Sequence, residues 1–420
     1  MARVQTNIVH EAPPTAADFA IATVEGEWTG IRGNAQRSGL RNAPAIRQPE
    51  VLWSAQVGIQ GYANTPIVTA DAIYVSSQGL EHNQPRGTDD PRDAVVALDP
   101  ANGQTLWEIK LDADANGMVL AGDLLIVGTD AGSVWAIDRQ RGATEWQASL
   151  RCSIYQAPVV VGDELWLVRR DDMARLRLSD GEPLADYSDC SFSERGTGSA
   201  DGTDVWMLPD RRPPEFWSDG RLVWQAAEPA ERMASWGSWQ PPLLTENMLI
   251  ATYHRWPFSI GEGRDRRRPA AVAFWRDNGQ PAWVADINAH DFAEDETTDP
   301  TPFLRSMPWV EGGKMYWTST TAPEIVRFDV VTGERIDALR LTDCRRRQFA
   351  SIVGVPGAGY LARHDGVLYG FTTEPFAVSW TLHLGLHGMS GQTTTHVPIT
   401  AGCSETPIDG TALFSTPAIG

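Results

Sequence analysis

Val95-Val-Ala-Leu-Asp99-Pro-Ala-Asn-Gly103-Gln-Thr-Leu-Trp107 reads as two short strands around a tight turn. Val95 to Asp99 is an apolar run, Pro100 to Gly103 carries turn chemistry, and Gln104 to Trp107 opens the next strand. The pattern Asp-x3-Gly-x3-Trp returns 39 residues later at Asp138, Gly142 and Trp146. Weaker copies follow at Gly181 with Ala185, Gly220 with Trp224, Gly279 with Trp283, Asp329 with Gly333 and Asp337, and a last one ending at Trp380. A period near 40 residues with four short strands per unit predicts an all-β chain folded as a single β-propeller.

The Ala-x-Asp-x3-Gly-x3-Trp signature resembles the PQQ-like (pyrroloquinoline-quinone-like) propeller repeat. Trp28-Thr-Gly-Ile-Arg32-Gly-Asn-x3-Ser38-Gly39, followed by Pro49-Glu-Val-Leu-Trp53-Ser, looks like the opening of many bacterial PQQ-like repeat proteins. The resemblance covers most of the chain. It is specific for fold and weak for activity, because one propeller hosts many functions. The family's dehydrogenases carry a vicinal cysteine pair and a calcium site beneath the quinone. Here Cys152, Cys190, Cys344 and Cys403 are scattered, so the expectation is no cofactor and no active PQQ-dependent dehydrogenase. A non-catalytic relative is similar in architecture: the propeller lipoprotein of the outer-membrane β-barrel assembly machinery, which works as a scaffold.

Composition narrows the functional classes further. A net charge of −19 over 420 residues argues against nucleic-acid binding, which needs a basic face. Apolar residues make up 42%, enough for a globular core, and 17 tryptophans are present. Trp53, Trp107, Trp146, Trp224, Trp283 and Trp380 stand at equivalent positions and are read as packing between blades. Four cysteines are too few for a disulfide scaffold. No secretory signal, lipoprotein cysteine or membrane span is legible. The expectation is a cytoplasmic monomer as written, or a periplasmic one if the chain is a trimmed form.

Residues 1–27 are expected to be a mobile arm and 28–420 the propeller. Trp53 sits on an outer strand with no inner strands before it, while 387–420 is long enough for three strands. Pairing the two would close the ring and remove its sheet edges. Eight blades are therefore expected, with seven the alternative. Long insertions fall at 78–93, 208–216, 253–270 and 286–302. The first three join second to third strands and the last joins two blades, so all emerge on one face of an up-and-down array. Repeats that gather their insertions on one face usually bind there.

Residues at the starts of blades on that face are candidate ligand-binding groups: Tyr62, Tyr155, Trp236, Trp239, Arg305, Arg346, Arg347 and His387. Aromatic faces with guanidinium donors suit an anionic, partly apolar ligand. Asp112-Ala-Asp114-Ala-Asn116-Gly117 matches half of a calcium loop, with Asp123 at the twelfth position. The repeat frame sets Asp112 and Asp123 at opposite ends of a strand, so no metal site is expected. His383, His387 and His396 are the histidines close in sequence, but His383 and His387 would share a face only on a helix, so no common metal is expected. No catalytic motif is legible. The leading expectation is a non-catalytic propeller binding a protein or small ligand at the channel mouth. The alternative is a cofactor-independent lyase, cyclase or hydrolase using the same mouth.

Overall fold

The computed structural model describes residues 12–58, 65–79, 90–150, 153–154, 156–168, 173–184, 196–209, 213–226, 238–254, 270–286, 307–318, 324–341, 352–363 and 367–383. Within them the repeat motif acquires a physical meaning. Asp99 accepts the Ala101 amide on its carboxylate (2.8 Å) and the Gly103 amide on its carbonyl (2.8 Å), closing the turn. Gly103 sits at φ 72° and Gly142 at φ 63°, a region that only glycine enters freely. The same glycines seat an indole from the preceding unit. A Cβ at Gly142 would come within 2.6 Å of Trp107, and one at Gly279 within 2.5 Å of Trp224.

Each indole also donates to the carbonyl one residue past the Asp position of the next turn. The bonds run from Trp53 to Pro100 (2.8 Å), Trp107 to Arg139 (3.1 Å), Trp146 to Leu178 (3.0 Å), Trp224 to Arg276 (2.9 Å) and Trp283 to Val330 (2.8 Å). The aim of the side chain comes from a repeated β-bulge. In six sheets the register shifts across the residue just before the Trp position, namely Leu106, Glu145, Val223, Ala282, Ile336 and Ser379. The extra residue turns the outer strand so that the next side chain leaves the ladder for the neighbouring unit.

Seven sheets, here called blades 1 to 7, follow in chain order among the described residues. Blade 1 consists of Ile67–Val68, Ile73–Gln78, Asp93–Leu98 and Thr105–Lys110. Blade 2 is Ala115–Ala121, Leu124–Thr129, Ser133–Asp138 and Thr144–Ser149. Blade 3 has three strands, Val159–Val161, Glu164–Val168 and Met173–Arg177. Blades 4 and 6 are four-stranded, from Thr197–Asp201 to Arg221–Gln225 and from Trp309–Glu311 to Arg335–Arg340. In blade 5, Ser238–Trp239 and Leu243–Leu244 both pair with Met248–His254. Blade 7 runs from Val353–Val355 to Ala377–His383. Buried apolar clusters lie between consecutive blades, for example Val95, Leu120 and Val127 between the first two, and Trp206, Leu249 and Phe274 between the fourth and fifth.

Two blades lack the motif tryptophan, and in both an arginine of the third strand stands in. Arg175 in blade 3 lies with its guanidinium 3.0 Å from where a Cβ at Gly220 would be, held by Glu164 (2.7 and 2.8 Å). Arg327 in blade 6 pairs with Asp337 (2.7 and 2.8 Å) and covers the Phe376 ring of blade 7 at 4.6 Å. The sequence reading took Ala185 and Asp337 as degenerate copies and did not foresee this replacement.

The N-terminal segment departs from expectation. Residues 12–27 are not a mobile arm. Ala16–Phe19 forms a 3-10 turn, Phe19 is buried against Trp283 with centroids 6.2 Å apart, and Asn247 and Glu246 of blade 5 donate to the Asp18 and Ala20 carbonyls. Thr23–Val24 and Leu40–Arg41 add parallel to the inner edge of blade 7. Residues 51–58, where an outer strand was expected, carry no ladder, although Trp53 keeps the interlocking contact. The C-terminal strands expected to complete the closure, 387–420, lie outside the described residues, and among the described residues the sheets do not close by strand pairing.

Residues 28–40 form a hub bonded to five blades and packed against the segments that lead into the other two. Trp28 exchanges two backbone bonds with Val68 of blade 1 (2.7 and 3.0 Å). Leu120 of blade 2 donates to Thr29, Ala200 of blade 4 to Ala35, Leu244 of blade 5 to Gln36, and Gly354 of blade 7 to Gly39, all between 2.8 and 3.1 Å. Ile31 shares a buried cluster with Ala157, just before blade 3, and Met307, just before blade 6. Every one of the four donating residues lies near the end of an innermost strand, at the short turn to the second strand. The hub therefore stands at the axis, on the face of the short turns between first and second strands.

Candidate functional site

The face of the insertions is where strand two meets strand three and where one blade leads to the next. Its described part is a polar corner between blades 1 and 2. Asn116, at the start of blade 2, is buried because its amide is fully used. It donates to Asp130 (2.7 Å) and to the Ile154 carbonyl (2.7 Å), and accepts from Gln78 (2.8 Å). Asp90 and Asp93 are buried beside it, with the Asp90 amide on the Asp93 carboxylate (3.1 Å) and the Arg92 amide on that of Asp90 (2.8 Å). Burial pushes the Asp114 carboxyl up to about 7, and the neighbouring charges of Asp130 and Asp93 push the same way. A carboxyl titrating near neutrality can give or take a proton under physiological conditions.

Asp112 does not join this group. Its carboxylate accepts from the Ser133 hydroxyl and from the Trp135 indole at 3.3 Å. Ala115–Ala121 runs between Asp112 and Asp123, which separates the two ends of the calcium-loop pattern. Among the described residues, no three acidic, histidine or cysteine side chains are arranged to hold a metal. No described helix is long and apolar enough to cross a membrane.

Of the sequence candidates, Trp239 alone is placed. It lies on Ser238–Trp239, paired with Tyr253 at the start of blade 5. Tyr62, Tyr155, Trp236, Arg305, Arg346, Arg347 and His387 lie outside the described residues, as do Cys152, Cys190, Cys344 and Cys403. Most of the four insertions lies outside them as well. The residues that sequence reasoning missed are Asp90 and Asp93, at the end of one loop of blade 1, and Asp130, on a turn of blade 2. The only signal was position, since each flanks a strand end on the insertion face.

Comparison with known proteins settles the repeat. Residues 91–214 match the PQQ_2 family model, described as outer membrane protein assembly factor BamB. The chain carries PQQ-like repeats similar to those of BamB. BamB of Alteromonas naphthalenivorans is 27% identical over 156 residues, which is 31% of this chain and 34% of that protein. BamB of Xanthomonas campestris pv. campestris is 24% identical over 162 residues, 33% and 36% of the two chains. The match thus spans about a third of the length of these curated relatives.

The crystal structure of BamB from Moraxella catarrhalis aligns over 82% of this chain and 91% of its own, with a TM-score of 0.56 and 16% identity. A europium-containing methanol dehydrogenase aligns over 86% of both chains, with a TM-score of 0.60 and 14% identity. At such identities the likeness is one of fold: both a factor named for assembly and a methanol dehydrogenase share the β-propeller architecture.

Proposed function

We propose that this PQQ-like propeller is a non-catalytic scaffold of the BamB kind, which binds a protein or small ligand on its insertion-rich face around the channel mouth. The observation that carries the reading is the hub. Residues 28–40 occupy the axis on the opposite face, so a ligand is left the mouth that the long insertions surround. The curated relatives are named for outer-membrane protein assembly, which favours a protein partner and the periplasmic placement over the cytoplasmic one. Closure by an eighth blade belongs to the same reading. Trp380 donates to the Ile46 carbonyl (2.8 Å) just as other blades' tryptophans reach the next turn, and Trp53 performs that contact on blade 1. Residues 44–57 thus supply the turn and outer edge of the missing unit, with strands from 387–420 as its inner part.

A test places photo-crosslinking residues at Trp239 and Arg346 on the insertion face, and at Asn102 and Gln140 on exposed turns of the hub face, in cells of the source organism. Adducts to a discrete partner from the first pair and not the second are expected. Adducts confined to the second pair would reject the reading. The raised Asp114 carboxyl is the one observation that favours a cofactor-independent enzyme at the same mouth, with that group as acid or base.

A further inference from the structure

A cavity of about 480 Å³ lies between the N-terminal segment and blade 5. That volume is within the roughly 300–1,000 Å³ typical of small-molecule sites. Ala12, Pro13 and Asp18 line one side, and Trp275, Arg276 and Asp277 the other. The blade-5 side is built by two short turns, one before Met248 and one after Trp275.

Blade 5 departs from the repeat at this place. The turn position held by Asp99, Asp138 and Asp329 in blades 1, 2 and 6 is Trp275, whose carbonyl takes the Gly279 amide at 2.9 Å. Those three carboxylates cap amides of their own turns. An indole has no acceptor for them, so blade 5 gives up that cap. Trp275 keeps most of its bulk in the cluster shared with Phe19 and Met248 and remains 9% exposed beside the cavity.

The donors around the cavity are largely committed. Asn247 gives its Nδ2 to Asp18 (2.9 Å), and Thr15 gives both amide and hydroxyl to the same carboxylate (2.7 and 2.8 Å). Arg276 donates to the Thr245 and Glu246 carbonyls (2.6 and 3.1 Å) and to Asp201 (2.7 Å). Its guanidinium also covers the Trp206 ring at 4.2 Å. Asp201 thus answers the charge of Arg276, and the Asp18 and Asp277 carboxylates set the sign of the cavity. Ionised carboxylates only accept hydrogen bonds. A ligand that fits must bring donors and positive charge, and an aromatic neighbour favours a cation further.

We propose that this cavity binds an organic cation, a guanidinium or primary ammonium group on a short apolar stem. Asp277 and Asp18 answer the head, and the stem lies along Trp275, Ala12 and Pro13. A free amine and a basic side chain of a bound peptide both carry this chemistry. The net charge of −19 enriches either near the surface. Because the ligand touches both sides of the cavity, it clamps the N-terminal segment onto blade 5. The site is separate from the insertion face, and its test stands apart from the crosslinking one.

The test uses the full purified chain at low salt. The probes are argininamide, butylammonium, the blocked peptide acetyl-Gly-Arg-Gly-amide, tetramethylammonium and butyrate. Calorimetry should give a one-to-one isotherm for at least one of the first three. Tighter binding of the peptide than of argininamide identifies a side chain as the source, and the reverse a free amine. Tetramethylammonium, which has charge without donors, should bind roughly tenfold more weakly, and butyrate should not bind. Asp277 is exposed, so Asp277→Asn should fold normally and weaken binding roughly tenfold. Trp275→Leu should weaken it too; if that variant does not fold, Asp277→Asn decides. Hydrogen exchange should slow at the Glu246 and Asn247 amides, which donate to the Ala20 and Asp18 carbonyls, when the cation is added. No saturable binding of any of the first three probes would overturn the proposal, as would undiminished binding in Asp277→Asn.

Discussion

Replacing Gly142 by alanine tests the seat that each blade offers to its neighbour's indole. The substitution does two things at once. It forces a side chain into φ 63°, which costs roughly 1–2 kcal/mol. It also sets a Cβ 2.6 Å from the Trp107 ring, so the indole must shift and its 3.1 Å bond to the Arg139 carbonyl lengthens or breaks. Overpacking of this kind adds about 1–3 kcal/mol, and the lost bond about 1 kcal/mol. Gly122 in the same blade is the control: it has φ 60°, yet a Cβ there would meet nothing within 4 Å. Urea unfolding followed by tryptophan fluorescence should show Gly142→Ala losing about 1–4 kcal/mol more than Gly122→Ala. With Trp107→Leu in the background, that excess should largely disappear, the signature of coupling between touching residues. Equal losses for the two glycines in the wild-type background would refute the interlocking account.

Asp114→Asn should flatten the pH dependence of stability. A carboxyl raised from 3.8 to about 7 on folding holds its proton in the native state, so its contribution is full below 3.8 and is lost as pH rises to about 7. Because Asp114 is only part-buried, roughly 1–2 kcal/mol is expected at pH 8 after allowing for solvent screening; thermal melts from pH 4 to 8 measure it, and an unchanged slope in the variant would count against the shift. Arg327→Met should destabilise by about 1–3 kcal/mol, since it removes a bidentate pair with Asp337 and the cover over Phe376. A neutral result in denaturant titration would mean that blade 6 is joined to blade 7 by its apolar contacts alone.

The blade-forming repeats were legible because the features that make a blade are local. The turn at Asp99 to Gly103 and the strands beside it follow from turn chemistry and apolar runs, and the tryptophans recur at the position that the bulge aims outward. Arg175 and Arg327 were not legible, because each replaces a tryptophan from a different strand and no spacing rule links the two. The hub was quoted as an opening motif, but its place at the axis depends on backbone bonds to residues 68, 120, 200, 244 and 354. Such bonds leave no periodic trace. The left-handed backbone at Arg32 and Arg37 (φ 56° and 61°) has none either, since left-handed arginine is an exception to every local preference. At the insertion face, Asn116 was visible only as part of half a calcium-loop pattern, and Asp90, Asp93 and Asp130 gather around it only through folding.

Hydrogen exchange across residues 28–40 tests the central claim most directly, namely that this segment is the axial hub of the propeller. The amides of Trp28, Thr29, Gly33, Arg37 and Gly39 are all bonded to backbone carbonyls, and the segment is bonded to five of the blades. Mass spectrometry of peptides spanning it should show protection equal to that of the inner strands, with exchange only on global unfolding. Exchange within seconds, while Ala115–Ala121 and Met248–His254 stay protected, would contradict the account.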